Sequence, residues 1–412
     1  MKRENNDMAH SQTKKNIPVL RFPEFQNDGE WDYVNGNELF IPIVNKNHNS
    51  DLPILAITQD QGAVPRELID YTIIVSDKSI GGYKIVEIGD FIISLRSFQG
   101  GIEYSNYKGL CSPAYIVLRR KNDSICNDFY RHYFKSKKYI QDLNRNLEGI
   151  RDGKMISYQQ FSEIKIPFPL LAEQKRIADC LSSMDKMIAE CNNKLELLKS
   201  HKKGLMQKLF PAKGQKIPRF RFKEFQKDGE WEEIKLGKCF TERLERNFSD
   251  LPLLSLTEND GIILQEDTNR KNNSNADKSK YLRVCVGDIA YNTMRMWQGR
   301  CAFVTIEGIV SPAYTICKPN KNMYSLYFYY LFNTSQAIDS FHRNSQGLVN
   351  DTLNLKYENF AKIKMTIPPF PEQKRIAECL SAMDEIITEY YNKMELLKSY
   401  KKGLMQQLFL KQ

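Results

Sequence analysis

The chain lacks Cys-x-x-Cys pairs, glycine-rich nucleotide loops and apolar runs of transmembrane length. Its nine cysteines are an odd number scattered over 412 residues, which argues against a disulfide framework and against a structural zinc site. Without G-x-x-x-x-G-K-[ST] or G-x-G-x-x-G there is no ordinary site for ATP or a dinucleotide. A signal peptide has an apolar stretch behind its charged amino terminus, and this sequence has none there. We therefore expect a cytoplasmic protein with reduced thiols.

Histidine is also scarce. The five histidines stand at positions 10, 48, 132, 201 and 342, without the spacing of metal ligands or of a catalytic triad. Ile367-Pro368-Pro369-Phe370 superficially resembles the Asn/Asp-Pro-Pro-aromatic motif of amino-methyltransferases. An isoleucine stands where a side chain must accept a hydrogen bond from the target amine, so the motif is interpreted as a helix-entry turn. We therefore expect no catalytic residue, no metal site and no cofactor in this chain.

The chain contains a tandem duplication with an offset of about 198 to 200 residues. The segment EQKRIADCLSSMD at 173–185 returns as EQKRIAECLSAMD at 372–384, and IPVLRFPEFQNDGEW at 17–31 returns as IPRFRFKEFQKDGEW at 217–231. SPAY, KKGLMQ and a Gly-Asp pair recur in the same order. The expected domains are 1–170 and 211–370, followed by conserved helices at 171–210 and 371–412.

Apolar residues in both conserved helices recur at alternating spacings of four and three, the pattern of a coiled-coil seam. The predicted seam residues are Ile177, Leu181, Met184, Ile188, Leu195 and Leu198, and Ile376, Leu380, Met383, Ile387, Met394 and Leu397. Each copy breaks the rule once, at Lys202 and Lys401. At 1.5 Å per residue each seam is a rod of roughly 48 Å. Pairing the rods antiparallel would put one domain at each end and create a pseudo-twofold axis.

The globular halves alternate strand-like runs with turn signals and then helical patterns. The predicted fold class is therefore mixed α/β, with two tandem globular domains joined by two long helices in an antiparallel coiled coil. Apolar content of 41% is enough to fill a core in each domain. The net charge of +10 is a moderate bias toward acidic partners.

The candidate DNA-binding residues lie in loops at equivalent places of the two halves. Arginine and glutamine can make bidentate contacts to base edges, and a neighbouring aromatic can stack or wedge. Residues alike in both halves are better candidates for phosphate contact, and unlike residues are better candidates for base reading. The candidates are Gln59, Asp60, Gln61, Arg96, Ser97, Gln99, Arg151 and Lys154, and Glu258, Asn259, Asp260, Arg295, Trp297, Gln298, Asn350 and Asp351. Exposed polar loop residues can equally be simply solvated.

The segment between Lys199 and Glu224 contains eight lysines or arginines and no acidic residue. It also holds Pro211, Gly214 and Pro218, which is the composition of a connecting segment. A solvated linker and a phosphate-contacting surface are both compatible with this pattern.

Together, these motifs resemble the specificity subunit of type I restriction-modification systems over nearly the whole chain. The EQKRIA helices, their KKGLMQ ends, SPAY and the helix entry IPPFPEQ carry the resemblance. It implies two target-recognition domains similar to the DNA-binding domain of adenine-N6 methyltransferases, each reading half of a gapped, asymmetric double-stranded DNA target. The helices would bind two modification subunits that carry S-adenosylmethionine. Restriction subunits would supply ATP- and Mg-dependent translocation and cleavage.

Two other functions are compatible with the sequence. One is a stand-alone nuclease or methyltransferase with an unrecognised site, which activity in the purified chain would reveal. The other is a DNA-binding scaffold or regulator without modification partners, which co-purification with a methyltransferase would exclude.

Overall fold

A computed structural model describes residues 16–49, 51–69, 80–145, 156–257, 261–268, 274, 277–347 and 353–409. The chain divides into two compact units. Unit 1 comprises residues 1–191 and 392–412, and unit 2 comprises residues 192–391. Each unit therefore contains the beginning of one long helix and the end of the other.

Unit 1 is built on a four-stranded antiparallel sheet in the order β2-β9-β6-β7, with three two-stranded pairs, β3-β4, β5-β8 and β1-β10. Its strands are β1 (Asp32–Asn35), β2 (Phe40–Ile43), β3 (Leu55–Thr58), β4 (Gly62–Pro65), β5 (Lys84–Val86), β6 (Phe91–Ile93), β7 (Glu103–Tyr104), β8 (Gly109–Cys111), β9 (Ile116–Arg120) and β10 (Lys165–Phe168). Its helices are α1 (Gly36–Leu39), α2 (Ser97–Gly100), α3 (Asn127–Tyr133), α4 (Lys137–Arg145) and α5 (Tyr158–Glu163), followed by the long helix α6 (Leu171–Leu209).

Unit 2 repeats this plan strand for strand, with a β12-β19-β16-β17 sheet and the pairs β13-β14, β15-β18 and β11-β20. Its strands are β11 (Glu232–Lys235), β12 (Phe240–Glu242), β13 (Leu254–Leu256), β14 (Ile262–Leu264), β15 (Leu282–Val284), β16 (Ile289–Asn292), β17 (Cys301–Phe303), β18 (Gly308–Val310), β19 (Tyr314–Pro319) and β20 (Lys364–Ile367). Its helices are α7 (Leu236–Cys239), α8 (Ser325–Phe332), α9 (Ser335–Asn344) and α10 (Tyr357–Phe360), followed by the long helix α11 (Phe370–Leu408).

Aromatic side chains fill the space between the sheet and the helices of each unit. In unit 1 the buried Phe40 ring lies edge-on to Phe91 and Tyr130, with ring centroids 5.3 Å apart in both pairs. In unit 2 Phe240 packs edge-on against Phe328 at 4.9 Å. Such edge-to-face contacts add to the burial of large rings, so these clusters stabilise the packing of helices on the sheet in each unit.

The recurring Gly-Asp pair forms a tight turn with a buried carboxylate. Gly89 and Gly287 have φ values of 95° and 92°, which a residue with a side chain rarely adopts. Asp90 is 1% exposed and accepts two hydrogen bonds from Arg119, both of 2.7 Å. Its counterpart Asp288 is bound instead by Arg243, which directly follows β12, whereas Arg119 lies in β9. The two halves thus neutralise the same buried charge with arginines from different places in the sequence.

The repeated R-F-x-E-F segment docks onto the start of the long helix in each unit. Buried Arg21 donates to both oxygens of Glu173 at 2.8 Å, and the Trp31 indole N–H donates to the same carboxylate at 3.0 Å. The Glu173 interaction raises the pKa of Arg21, so this arginine stays charged. At the surface, Arg176 stacks over the Phe22 ring, 4.6 Å from its centroid. Two motifs about 150 residues apart in the sequence therefore form one contact.

Unit 2 repeats this contact with one difference. Arg221 donates to both oxygens of Glu372 at 2.8 Å, and Arg375 stacks over Phe222. The Trp231 ring is as buried as the Trp31 ring, but its indole nitrogen has no hydrogen-bond partner within the described residues. The glutamine of each EQKR motif is also buried and hydrogen-bonds backbone groups at the helix entry.

The long helices pack antiparallel within each unit. In unit 1, Ile177 and Leu181 near the start of α6 share a core with Leu408 and Phe409 at the end of α11. In unit 2, the start of α11 packs in the same way against the end of α6. All twelve predicted seam residues are buried or half-buried, while residues on the opposite faces of α6 and α11 are exposed.

The mixed α/β class, the repeated domains and the packed long helices are confirmed. One expected strand-like run, YKIVEIGDFIISL, is divided by its Gly-Asp turn into β5 and β6, which lie in different sheets. SPAY forms the turn that leads into β9 and β19, consistent with a structural role. Within the described part of the chain, every helix is too short or too polar to cross a membrane.

Candidate nucleic-acid interface

Two predicted recognition loops of unit 1 lie side by side. The exposed residues Gln59, Asp60 and Gln61 form the turn between β3 and β4. The Gln59 side-chain amide donates to the Arg96 carbonyl oxygen at 3.3 Å. A Cβ atom placed on Gly100 would lie 2.9 Å from the Gln59 side chain, so the turn sits close against the loop at 96–100. Segments far apart in sequence thus form one exposed surface.

Arg96 presents an unpaired charge on this surface. Its side chain is exposed, and its guanidinium has no hydrogen-bond or ion-pair partner in the part of the chain that the structure describes. Gln99 is exposed on the following helix α2. An arginine and a glutamine held this way are available to phosphate oxygens or to base edges.

Ser97, in contrast, faces the interior. It is 1% exposed, and its hydroxyl oxygen accepts a hydrogen bond of 2.9 Å from the Ser94 amide. A hydroxyl buried in this way supports the loop and is not available for contact with DNA. Of the loop residues predicted from the sequence, it is the one whose structural position argues against direct contact.

Lys135, which was not predicted from the sequence, contacts the backbone of both loops. Its ammonium group donates to the Gln59 carbonyl oxygen at 3.2 Å and to the Gly100 carbonyl oxygen at 3.0 Å. It also pairs with Glu103, a buried carboxylate whose pKa is raised by burial. Asn144 of α4 donates to the Phe98 carbonyl oxygen at 2.8 Å. The loop pair therefore rests on a lysine whose three donors are all used.

The equivalent loop of unit 2 also presents an exposed arginine. Arg295 and Gln298 are exposed, and no partner of the Arg295 guanidinium lies within the described residues. Trp297 is half-buried: its indole N–H donates to the Met294 carbonyl oxygen at 3.1 Å, and its ring packs edge-on against His342. The tryptophan is thus held against α9 and is only partly exposed.

The support beneath this second loop is uncharged. Asn333 stands at the position equivalent to Lys135, and Ala302 stands at that of Glu103, next to Cys301. The Asn333 side chain donates to the Cys301 sulfur at 3.9 Å, and burial raises the thiol pKa to about 12. An ion pair in one unit is therefore replaced by a weak neutral contact in the other. Lys135 could have been found by comparing the two halves of the sequence, because a lysine stands just after α3 where the equivalent position after α8 has an asparagine.

Seven of the predicted contact residues lie outside the described part of the chain. They are Arg151, Lys154, Glu258, Asn259, Asp260, Asn350 and Asp351.

The basic segment between Lys199 and Glu224 is part of unit 2. The Phe220 amide donates to the Lys208 carbonyl oxygen, and the Trp231 amide donates to that of Lys216. The segment lines a groove together with α9 and β20. Lys216 of the segment pairs with Glu230, and Lys364 of β20 pairs with Glu233. Three cations of the segment are paired with carboxylates: Lys202, Lys216 and Arg221.

Among the described residues, no three histidine, cysteine, aspartate or glutamate side chains are grouped closely enough to hold a metal ion. Two α/β modules that each present an exposed arginine loop, built on the ends of two long helices, define a two-domain recognition protein. The sequence model of the type I restriction modification DNA specificity domain matches residues 1–200 and 224–397, and the chain belongs to this family. It is the DNA specificity subunit of a type I restriction-modification system and is not by itself catalytic.

Similar proteins agree with this assignment. The chain is 29% identical over 367 residues to the type I restriction enzyme MjaX specificity subunit of Methanocaldococcus jannaschii, covering 80% of each chain. It is 28% identical over 348 residues to the MjaVIII specificity subunit of the same organism, covering 78% of each. The crystal structure of the type I S subunit from M. genitalium has a TM-score of 0.57 at 14% identity, covering 96% of this chain and 100% of that one. A chain from a structure of type I complex assembly has a TM-score of 0.52 at 15% identity, covering 92% of this chain and 97% of that one.

Proposed function

We propose that each unit reads one half of a gapped, asymmetric target in double-stranded DNA. The observation that carries the proposal is the exposed, unpaired arginine loop that both units present at equivalent positions, Arg96 and Arg295. The turn beside the first loop, at 59–61, differs in sequence from its counterpart at 258–260, so the two half-sites should differ. Like residues would hold the backbone, and unlike residues would read bases.

The long helices would fix the distance between the half-sites. Each has 39 residues, which at 1.5 Å per residue gives a rod of about 58 Å. Two major-groove sites on one face of B-DNA are about one turn, ~34 Å, apart, a spacing that rods of this length can enforce.

The helices would also bind two modification subunits that carry S-adenosylmethionine and methylate adenine. Restriction subunits would add ATP- and Mg-dependent translocation and cleavage. Family membership supports this assembly, and the catalytic work would then belong to the partners in the cytoplasm, where the cell's DNA lies.

Selection of bound duplexes from a random DNA pool tests the proposal directly. The chain should be co-expressed with its modification subunit, because the helix flanks evolved to bind partners. We expect two short defined blocks separated by a fixed stretch of unspecified sequence. A single uninterrupted motif, or no motif, would contradict the proposal and favour a scaffold or regulator.

Replacing Arg96 with alanine is expected to weaken binding to all duplexes, because a phosphate contact carries no sequence information. The salt dependence of binding should fall by about one counterion, as expected for one lost phosphate contact. Arg295→Ala should behave in the same way. The exposed Lys165 of β10 provides a control, since Lys165→Ala removes a charge away from the loops. Loss of preference at a single base position would instead identify Arg96 as a base reader.

A further inference from the structure

The two seam lysines each contact an aspartate on the opposite helix. Within unit 2, the Lys202 ammonium donates to Asp384; within unit 1, the Lys401 ammonium donates to Asp185. The lysine side chains are only 21% and 19% exposed. Both pairs use the same two sequence motifs, the lysine of KKGLMQ and the last residue of the EQKRIA segment. The one irregularity of each seam is therefore half of an ion pair.

Each aspartate also contacts the globular part of its own unit. The Tyr330 hydroxyl of α8 donates to the second Asp384 oxygen at 2.7 Å, and the Lys202 ammonium lies 5.1 Å from the centre of the Tyr330 ring. Burial, together with the hydrogen bond to Asp384, raises the pKa of Tyr330, so the hydroxyl keeps its proton. One carboxylate thus binds three elements: the two long helices and a helix of the α/β domain.

Unit 1 has the same junction with different groups. Arg131 and His132 of α3 lie 3.9 Å and 3.8 Å from the second Asp185 oxygen. His132 occupies the position equivalent to Tyr330. Burial, together with the charges of Lys401 and Arg131, lowers its pKa to about 3, so it is neutral. The attraction between Asp185 and its own domain therefore comes from Arg131, at a longer distance than that of the Tyr330 hydrogen bond in unit 2.

A charged residue in a coiled-coil seam costs stability, and its value lies in fixing register and orientation. A slip of either helix by one heptad would move the lysine about 10.5 Å, out of reach of its aspartate. Because the same aspartate holds the domain, a tilt of the domain on the helix pair would also break the contact. Apolar contacts alone would allow such shifts more easily, since they have no preferred direction.

We propose that Asp185 and Asp384 are positioning residues that set the height and tilt of each recognition domain on its helix pair. The inference rests on the proposed reading of a gapped target, and it adds that the strictness of the gap depends on these junctions. The unit 2 junction should contribute more, because its hydrogen bond is shorter and better defined.

The test uses the full chain in complex with its modification subunit. Lys202→Met places an apolar residue in the seam, so the chain should keep its thermal stability or gain some. Discrimination between the preferred gap and a gap one base pair longer should fall at least fivefold. Lys203→Met, at the exposed neighbouring position, is the matched control and should leave discrimination unchanged.

Unchanged gap discrimination in Lys202→Met would overturn the inference. Backbone hydrogen exchange of α8 in the free chain provides a readout that needs no DNA target. Lys202→Met and Tyr330→Phe should each raise exchange there at least threefold over Lys203→Met, and equal exchange would overturn the junction. If the wild-type chain selects no gapped target while exchange responds as expected, the proposed function fails and the junction stands.

Discussion

Replacing Arg21 with methionine is expected to lower the free energy of unfolding of unit 1 by about 3–5 kcal/mol. Arg21 and Glu173 have side chains only 6% and 1% exposed, so the substitution leaves a carboxylate buried without its cation. Removing one partner of a buried ion pair costs several kcal/mol because the remaining charge is neither solvated nor paired. Urea unfolding followed by tryptophan fluorescence, with Arg221→Met as the corresponding change in unit 2, measures the effect.

Removing both partners should cost less than removing one. The double variant Arg21→Met with Glu173→Leu leaves no buried charge, and similar apolar volume can fill the site. If the double variant is as unstable as Arg21→Met, the cost comes from lost packing and not from the unpaired carboxylate.

The two tryptophans provide a matched comparison. Trp31 donates its indole N–H to Glu173 at 3.0 Å, whereas the Trp231 nitrogen has no partner among the described residues. Both rings are almost completely buried. Trp31→Phe should therefore destabilise more than Trp231→Phe, by about 1 kcal/mol, the usual net value of a hydrogen bond. Equal losses would mean that the hydrogen bond to Glu173 adds nothing beyond ring burial.

The helices and their seam were predictable because the contact residues of a coiled coil recur at a fixed short spacing in the sequence. Prolines at 167, 169, 368 and 369 precede helices that begin at Leu171 and Phe370, within a residue of the expected starts. The lysine exceptions were visible too. Their aspartate partners were not, because naming them requires the register of two helices nearly 200 residues apart in sequence.

Long-range polar pairs escaped prediction for a related reason. Asp90 and Asp288 are equivalent, yet their arginines, Arg119 and Arg243, come from non-equivalent positions. A buried charge requires a partner of opposite sign, and many sequence positions can supply one. Repetition showed that R-F-x-E-F and E-Q-K-R matter in both halves, but only the fold shows that they bind each other.

The recognition loops were partly predictable. Arg96, Gln99, Arg295 and Gln298 are exposed, and their role as contact residues stays a prediction. Ser97 is buried because a residue one position away from an exposed arginine can point inward. Period-based reasoning does not apply to short loops, where side-chain direction depends on the turn. Lys135 was missed because its role depends on three oxygen atoms from separate segments.

Replacing Lys135 with methionine is expected to reduce binding at the half-site read by unit 1 at least tenfold and to leave the other half-site unaffected. Its ammonium group holds the backbone of both the 59–61 turn and the 96–100 loop. Without it the two loops lose their common anchor, and reading geometry must be held within a fraction of an ångström. Binding to duplexes with each half-site altered in turn measures the two contributions separately.

The effect of Lys135 on stability can be separated from its effect on the position of the loops. Lys135→Met also leaves Glu103 buried without a cation, so the free energy of unfolding should fall by about 2–3 kcal/mol. Adding Glu103→Gln removes the buried charge and should recover most of that loss, while half-site binding stays weak because the carbonyl oxygens still lack their donor. Asn333→Ala is the matched change in unit 2, where the weak contact to sulfur predicts a small effect on the second half-site. Equal losses at both half-sites, or full recovery of binding in the double variant, would show that Lys135 acts on stability alone and that the loops keep their arrangement without it.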